Sequence, residues 1–506
     1  MLNAGVCCGY IHFKKRQEIA PLLNIEIVRP DVLTVFLNHG SLALLKFLGK
    51  RLFMIMFRMS RCVYVFGARC VILFALFPLL SRSARGENRL LALQEDVPLH
   101  PAVTAFFSND DEFISEVVIP SMERERKDEI HLKIVSSDGT PLQTCQVSAE
   151  LQKLEFLFGH CNLATEKSSR NRHRLNSLFH FTCPENLTKW KNYAPDLGMY
   201  DFSKIDSMVE YCDANEINIE WHFLSGYHPE WFTSLQTDAE KAASQLANSR
   251  AVLNRYQDSV NFFQVFNEDW HTHIERAKVF CDQTELFKTL RKEFPKVELG
   301  VCDCWSFNKE NRLPSVGEVM SRYPGINFVS MHAHRPRRLW ASPKEMFDTF
   351  EQYKDSDIKI HITEFGIIKG EIEGGYRTGD WDDATLAEYF VQVAATAFSH
   401  PSVRVLNLWA NYDKFTGNRL FGEDGKPTEL YEALNSLLNH KLTTHVTGET
   451  DENGACVFSG FYGRYKLSVK SESGRLFAVQ FDAGRKATHV KLVINEVEGT
   501  AHATID

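Results

Sequence analysis

The chain has 506 residues, of which 44% are hydrophobic and 24% charged, and its net charge is −8. That length exceeds one ordinary core and implies two or three domains, while the globular composition excludes a largely disordered chain. The acidic balance offers no basic footprint for nucleic acid, which is not expected as a partner.

Residues 1–86 read as a leader. Arg58, Arg61 and Arg69 precede the apolar run Cys70-Val-Ile-Leu-Phe-Ala-Leu-Phe-Pro-Leu-Leu80, and small or polar residues follow to Gly86. A basic stretch, an apolar stretch and a cleavable stretch, in that order, form a signal peptide. The run is short for a membrane span. Met54, Met56 and Met59 stand just before it as alternative starts. The expectation is a secreted protein, or one membrane-anchored through residues 63–80 if the leader stays uncleaved. Four of the twelve cysteines lie in the leader, and the other eight lack the regular spacing of a disulfide scaffold. Cys302 and Cys304 fall at a strand and read as buried thiols.

Residues 95–153 read as a small β-rich pre-domain. Segments 129–135 and 146–151 alternate as strands, and Ser137-Asp-Gly139 marks a turn. From 154 to 440 short apolar strands alternate with helical segments, the pattern of βα units on a parallel sheet. Eight strands are predicted, at 155–159, 177–182, 217–222, 262–266, 297–302, 326–331, 358–363 and 403–409. Amphipathic helices are predicted at 202–214, 239–256 and 384–399, with a closing helix at 429–438. The number and order fit an α/β fold, a (β/α)8 TIM barrel. Residues 441–506 return to alternation, at 455–458, 465–469, 477–481 and 489–494, and read as a small all-β domain.

In such a barrel the chemistry sits at the carboxyl ends of the strands. The fourth strand runs aromatic and β-branched to Phe266 and stops in Asn267-Glu268-Asp269. The seventh has the same grammar, Ile358-Lys-Ile-His-Ile-Thr-Glu364. Two strands that each deliver a Glu at their end are the pattern of paired catalytic carboxylates. The other strand ends supply Glu185, Asn186 and Lys189, then His222, His332 and His334, and finally Trp409. Polar groups to bond hydroxyls, with Trp to stack on an apolar face, suit a polyhydroxylated ring.

Asn-Glu after strand four, Ile-Thr-Glu after strand seven, Glu-Asn-x-x-Lys-Trp after strand two and His-x-His after strand six resemble family 10 glycoside hydrolases, retaining endo-1,4-β-xylanases on a (β/α)8 barrel. The run Trp190-Lys-Asn-Tyr-Ala-Pro…Gly198-Met-Tyr-Asp-Phe-Ser203 and the closing Trp409…Leu420-Phe-Gly-Glu-Asp-Gly-Lys-Pro427 resemble the same family. The resemblance spans about residues 155–440 and implies roles. Glu268 would protonate the departing oxygen, and Glu364 would be the nucleophile. Asn267 would bond the sugar 2-hydroxyl, and His334 would orient Glu364. Glu185, Asn186, Lys189 and His222 would hold the glycone side, with Trp409 against the ring at the cleavage point. The two glutamates then need one raised and one low pKa. The implied activity is cleavage of internal β-1,4 bonds of xylan or a related β-glycan, by a monomer without cofactor or metal.

Several positions depart from the family. His222-Phe-Leu-Ser-Gly-Tyr-His228-Pro-Glu-Trp231 is shorter than the usual third loop and lacks the Trp that usually precedes its second His. His332 stands where Gln is usual. The fifth strand ends Cys302-Asp303-Cys304 rather than Asn-Asp-Tyr, and Phe415 stands where a second Trp usually follows Trp409. These changes touch the sugar subsites and leave both glutamates in place.

Two other classes fit parts of the pattern. His271-x-His273 and His332-x-His334, with His160 at the end of strand one, would suit a metal-dependent barrel hydrolase. A non-catalytic carbohydrate-binding protein on the same scaffold would need neither glutamate. Trp190 and Trp231 read as packing residues, and His160, His180 and His361 as core or rim histidines. Asn186-Leu-Thr188 is also a glycosylation sequon.

Overall fold

The computed structural model describes residues 23–29, 32–37, 88–93, 97–268, 280, 282–303, 305–307, 313–333, 341–367, 371–372, 379–409 and 418–505. Residues 1–87 form one unit, in which Leu23–Arg29 pairs antiparallel with Val32–Leu37. The leader run at 63–80 lies outside the described residues, as do His271, His273, Cys281, Cys304, His334 and Phe415. No helix among the described residues is long and apolar enough to cross a membrane.

Residues 88–506 form the second unit. Its centre is a closed barrel of eight strands, β1 (Leu157–His160), β2 (Phe181–Thr182), β3 (Asn218–Ser225), β4 (Phe262–Phe266), β5 (Glu298–Asp303), β6 (Phe328–Met331), β7 (Lys359–Phe365) and β8 (Val403–Leu408). They pair in parallel and in chain order, β8 closing on β1. Seven of the eight lie close to their predicted positions. The second shrinks to two residues because Ser177 caps the helix Ser169–Asn176 and the chain turns before the strand begins.

Both faces of each strand are covered, so β4 is buried at every position. Inside the barrel Leu157, Phe181, Cys183, Phe262, Phe328 and Val405 pack together. At Gly300 a Cβ would overlap the Phe328 ring, so the residue must be glycine for strand and ring to pass. Capping boxes start three outer helices, Thr237 with Glu240, Ser315 with Glu318 and Ser342 with Glu345. Each satisfies backbone N–H groups that the first helical turn leaves unpaired.

The helix Asp383–Ser399 is buried on almost every side. A helix apolar all round needs cover on its outer face too. The helices Pro101–Phe107 and Ile119–Arg126 pack against it and supply that cover. Residues 101–126 are therefore helical and belong to the barrel's wall, where the sequence reading placed a β-rich pre-domain.

The two flanks were read as separate domains, but their strands share the same two sheets. Gln146–Leu154 lies between Gly463–Lys470 and His445–Glu449. Lys127–Ser136 lies between Ala455–Phe461 and Thr488–Asn495. Each sheet has five strands, with Leu91–Ala92 on an edge of one and Asn88–Arg89 on an edge of the other. Burial alternates along Gly463–Lys470 and Thr488–Asn495, and Tyr465 stacks on Phe481 at 5.3 Å in the core. About 65 residues make a marginal domain alone; here they complete the strands of 127–154.

Arg126 ties this β structure to the barrel. Its guanidinium donates to the carbonyls of Phe398 (2.6 Å), His400 (2.6 Å) and Val403 (2.7 Å). It lies 5.0 Å from the Phe156 ring centroid and 5.4 Å from that of Phe398. Burial pushes its pKa down to about 9, which leaves it charged at neutral pH.

Candidate active site

The site is built at the carboxyl ends of β2, β3, β4, β6, β7 and β8. β4 delivers Asn267 and Glu268. Glu268 has φ 54°, in the left-handed region that a side chain rarely adopts. Its N–H donates to the Cys302 carbonyl on β5 at 3.1 Å, which holds the turn. Strained backbone of this kind clusters at functional sites. Asn267 is buried, and its Oδ1 accepts from Gln264 Nε2 at 2.6 Å.

β7 delivers Glu364, which is 5% exposed. The register of β7 against β8 shifts between Ile362 and Phe365, at the point where Glu364 leaves the ladder. Irregularities of this sort re-aim a side chain. Asn407 Nδ2 donates to the Thr363 carbonyl at 2.8 Å, and Trp409 N–H to the Phe365 carbonyl at 2.8 Å. Both bonds fix the chain around Glu364.

His332, just past β6, stands between the two carboxyl groups. Its Nδ1 is 3.3 Å from Glu268 Oε1, and its Nε2 is 3.1 Å from Glu364 Oε1. His222 approaches the same oxygen of Glu364, with Nε2 at 3.3 Å. His222 Nδ1 is 3.1 Å from Gln264 Oε1. Gln264 Nε2 donates to the Phe266 carbonyl at 3.1 Å as well as to Asn267. A carbonyl accepts only, so this bond fixes the amide's orientation and makes His222 Nδ1 the donor to it. The connected groups run Asn267, Gln264, His222, Glu364, His332, Glu268.

The loop after β2 supplies Lys189, whose Nζ donates to Asn186 Oδ1 at 3.0 Å and lies 4.7 Å from the Tyr227 ring centroid. Thr188 Oγ1 donates to the His222 carbonyl at 2.6 Å. The Trp409 ring meets His222 edge to face at 5.4 Å. Lys189 and Glu185 both act electrostatically on Glu364. Nine of the ten residues singled out from sequence are thus described, in one electrostatically and sterically connected region. The tenth, His334, lies outside the described residues.

Burial pushes the Glu364 carboxyl up to about 7; the nearby Glu268 charge adds to this, and His332 and Lys189 oppose it. Of the expected split, the raised carboxyl is that of Glu364. Glu364 has side-chain exposure of 7% and Glu268 of 22%, so Glu364 bears the heavier desolvation. His222 is pushed well below its ordinary range, first by burial and then by Lys189 and His332.

Two groups escaped the sequence reading. Gln264, the one polar residue inside an aromatic strand, orients His222 and Asn267. Tyr227, with φ 49° after Gly226, lies under the Lys189 ammonium. A layer lower, Glu220 is fully buried between Ser330 Oγ (3.0 Å) and His361 Nδ1 (2.7 Å). Burial pushes Glu220 up to about 8. Trp190 and Trp231 pack edge to face, at 5.6 Å. Among the described residues no three His, Cys, Asp or Glu side chains are grouped to hold a metal.

A closed parallel barrel that carries two glutamates on one imidazole at its carboxyl end is the framework of a barrel glycosidase. The family model described as "Glycosyl hydrolase family 10" matches residues 148–436, more than half of the chain. The chain belongs to that family. An anti-sigma-I factor of Acetivibrio thermocellus, RsgI6, is 23% identical over 359 residues, which cover 68% of this chain and 45% of that protein. Endo-1,4-beta-xylanase 1 of Arabidopsis thaliana is 21% identical, covering 69% of this chain and 37% of its own length. The chain thus spans less than half the length of these two relatives. Endo-1,4-beta-xylanase B of Thermotoga neapolitana is 22% identical, covering 52% of this chain and 82% of that one. Among solved structures, xylanase 10B from Thermotoga petrophila in complex with xylobiose is 17% identical, with a TM-score of 0.47, covering 57% of this chain and 95% of that one.

Proposed function

We propose that this protein is a retaining β-glycanase that cleaves internal β-1,4 bonds of xylan or a related β-glycan. The observation that carries this reading is the pair Glu268 and Glu364 held on the two edges of His332. In a double displacement, ionised Glu364 attacks the anomeric carbon while Glu268 gives its proton to the departing oxygen. Glu268 then removes a proton from water, which displaces Glu364 from the sugar. Asn267 bonds the 2-hydroxyl beside the reacting carbon. Glu185, Asn186, Lys189 and His222 hold the glycone, and Trp409 packs against its ring. The names of the xylanase relatives support xylan as the substrate class. The basic and apolar runs before residue 86 support secretion, or anchoring through residues 63–80.

One relative bears the name of an anti-sigma factor and not of a glycosidase, which leaves room for a second reading in which the barrel binds glycan without turnover. One assay separates the two. An aryl β-xylobioside and polymeric xylan are offered to wild type, Glu268→Ala and Glu364→Ala. As a hydrolase, each variant loses roughly 10³-fold or more in kcat on xylan. Glu268→Ala loses less on an aryl glycoside with a good leaving group, which needs little protonation. Tight binding of xylo-oligosaccharide with no turnover by wild type would select the binding reading.

A further inference from the structure

The interior of a parallel barrel is ordinarily filled by branched apolar side chains, and Glu is among the residues least often fully buried. Glu220 on β3 breaks both rules. It is 0% exposed, one layer below the carboxyl pair, and so are Ser330 on β6 and His361 on β7. Substrate reaches none of the three, so whatever they do for the site they do through the strands.

A carboxyl taken out of water is costly unless its oxygens are bonded, and Glu220 uses both. Ser330 Oγ donates to Oε1 at 3.0 Å, and His361 Nδ1 lies 2.7 Å from Oε2 in the second hydrogen bond. In the barrel order β3 stands four strands from β7 in either direction. The Glu220–His361 bond therefore crosses the lumen. His361 is itself held, its ring stacked on Phe328 at 4.2 Å and edge-on to Phe262 at 4.9 Å. Burial pushes Glu220 up to about 8 and His361 well below its ordinary range, so at neutral pH the bond joins two uncharged groups.

The three tied strands carry the tier above. Side chains two apart on a strand share a face, which sets Glu220 beneath His222 and Ser330 beneath His332. His361 stands three residues before Glu364, and the irregular pairing between Ile362 and Phe365 takes up the odd residue. Above the tie, Glu364 Oε1 lies 3.3 Å from His222 Nε2 and 3.1 Å from His332 Nε2. We propose that Glu220 is a positioning residue, whose bonds across the lumen to His361 and Ser330 set where Glu364 stands between His222 and His332. A misplacement of about 1 Å at a reacting group costs on the order of 100-fold in rate. The effect of the tie on turnover rests on the hydrolase reading above; its effect on geometry does not.

The test uses the full chain and two readouts, crystal structures and the separate kcat and KM on xylan. The double variant Glu220→Met, His361→Leu replaces the tie by apolar side chains of similar volume, an exchange that often leaves stability intact; thermal unfolding checks that it folds. In its structure Glu364 should shift by about 0.5–1 Å relative to His222 and His332. Its kcat should fall roughly 10–100-fold, with KM changed less than about twofold. Gln has the shape of an un-ionised carboxyl and offers a donor and an acceptor, so Glu220→Gln should keep the geometry and a kcat within about threefold of wild type. Ser330→Ala cuts only the β6 bond and should widen the separation of Glu364 and His332, which keeps the test open if the double variant does not fold. An unmoved Glu364 or an unchanged kcat in the folded double variant overturns the proposal. So does an unchanged separation in Ser330→Ala, or a Glu220→Gln protein as impaired as the double variant. Wild type that turns over no glycan would instead remove the hydrolase reading, and the crystal structures would still decide the tie.

Discussion

Replacing Glu364 by Gln isolates the cost of burying its carboxyl. In the folded protein burial raises that carboxyl from the ordinary 4.5 to about 7. Below pH 4.5 both folded and unfolded chains hold the proton, and the group has no effect on stability. Between 4.5 and 7 the unfolded chain releases it while the folded chain keeps it, so stability falls as pH rises, by about 1.4 kcal/mol per pH unit. Above 7 the full penalty, about 3 kcal/mol, is in force. Gln has the shape of the neutral carboxyl and never ionises. Glu364→Gln should therefore match wild type near pH 4 and be more stable by up to about 3 kcal/mol at pH 8. Denaturant unfolding of both proteins at four pH values gives the difference directly. Other buried groups, such as Glu220, cancel because they are present in both. A difference that stays flat from pH 4 to pH 8 would refute the reasoning.

Three further expectations follow from the same geometry. Activity that needs ionised Glu364 should be lost as pH falls through about 7; a kcat/KM profile still flat at pH 5 would contradict it. Arg126→Ala strips a buried cation from three carbonyls and should cost about 3–5 kcal/mol, with Arg126→Lys restoring only part of it; thermal unfolding reads both. Removal of residues 442–506 exposes the paired edges of 127–136 and 146–154 and should give insoluble protein rather than a free barrel. A soluble truncated chain with an unchanged Tm would show that the β structure is dispensable.

The barrel was legible because each strand is a short apolar run between helical segments, and the catalytic candidates because each run ends in a polar residue. Glu268 and Glu364 needed nothing more than that grammar. What failed depended on partners distant in sequence. Alternation in 146–154 marks a strand but does not reveal that its neighbours are 463–470 and 445–449, so one β structure was read as two. The helices Pro101–Phe107 and Ile119–Arg126 were missed because their purpose is to cover Asp383–Ser399, whose burial on all sides is a tertiary fact. The raised carboxyl was expected at one of the glutamates, but burial decides which, and burial at a strand end cannot be read from Thr-Glu-Phe. Gln264 was visible as the odd polar residue in β4. That it orients His222 required the strands to be placed side by side.

The most direct measurement follows the anomeric configuration of the sugar released from a β-1,4-xylo-oligosaccharide, by proton NMR in the first minutes of hydrolysis. With Glu364 as a nucleophile that attacks the sugar itself, the β-anomer should appear first, with the α-anomer growing in only by mutarotation. First appearance of the α-anomer would mean that water attacks directly, and the assignment of Glu364 as nucleophile would be wrong.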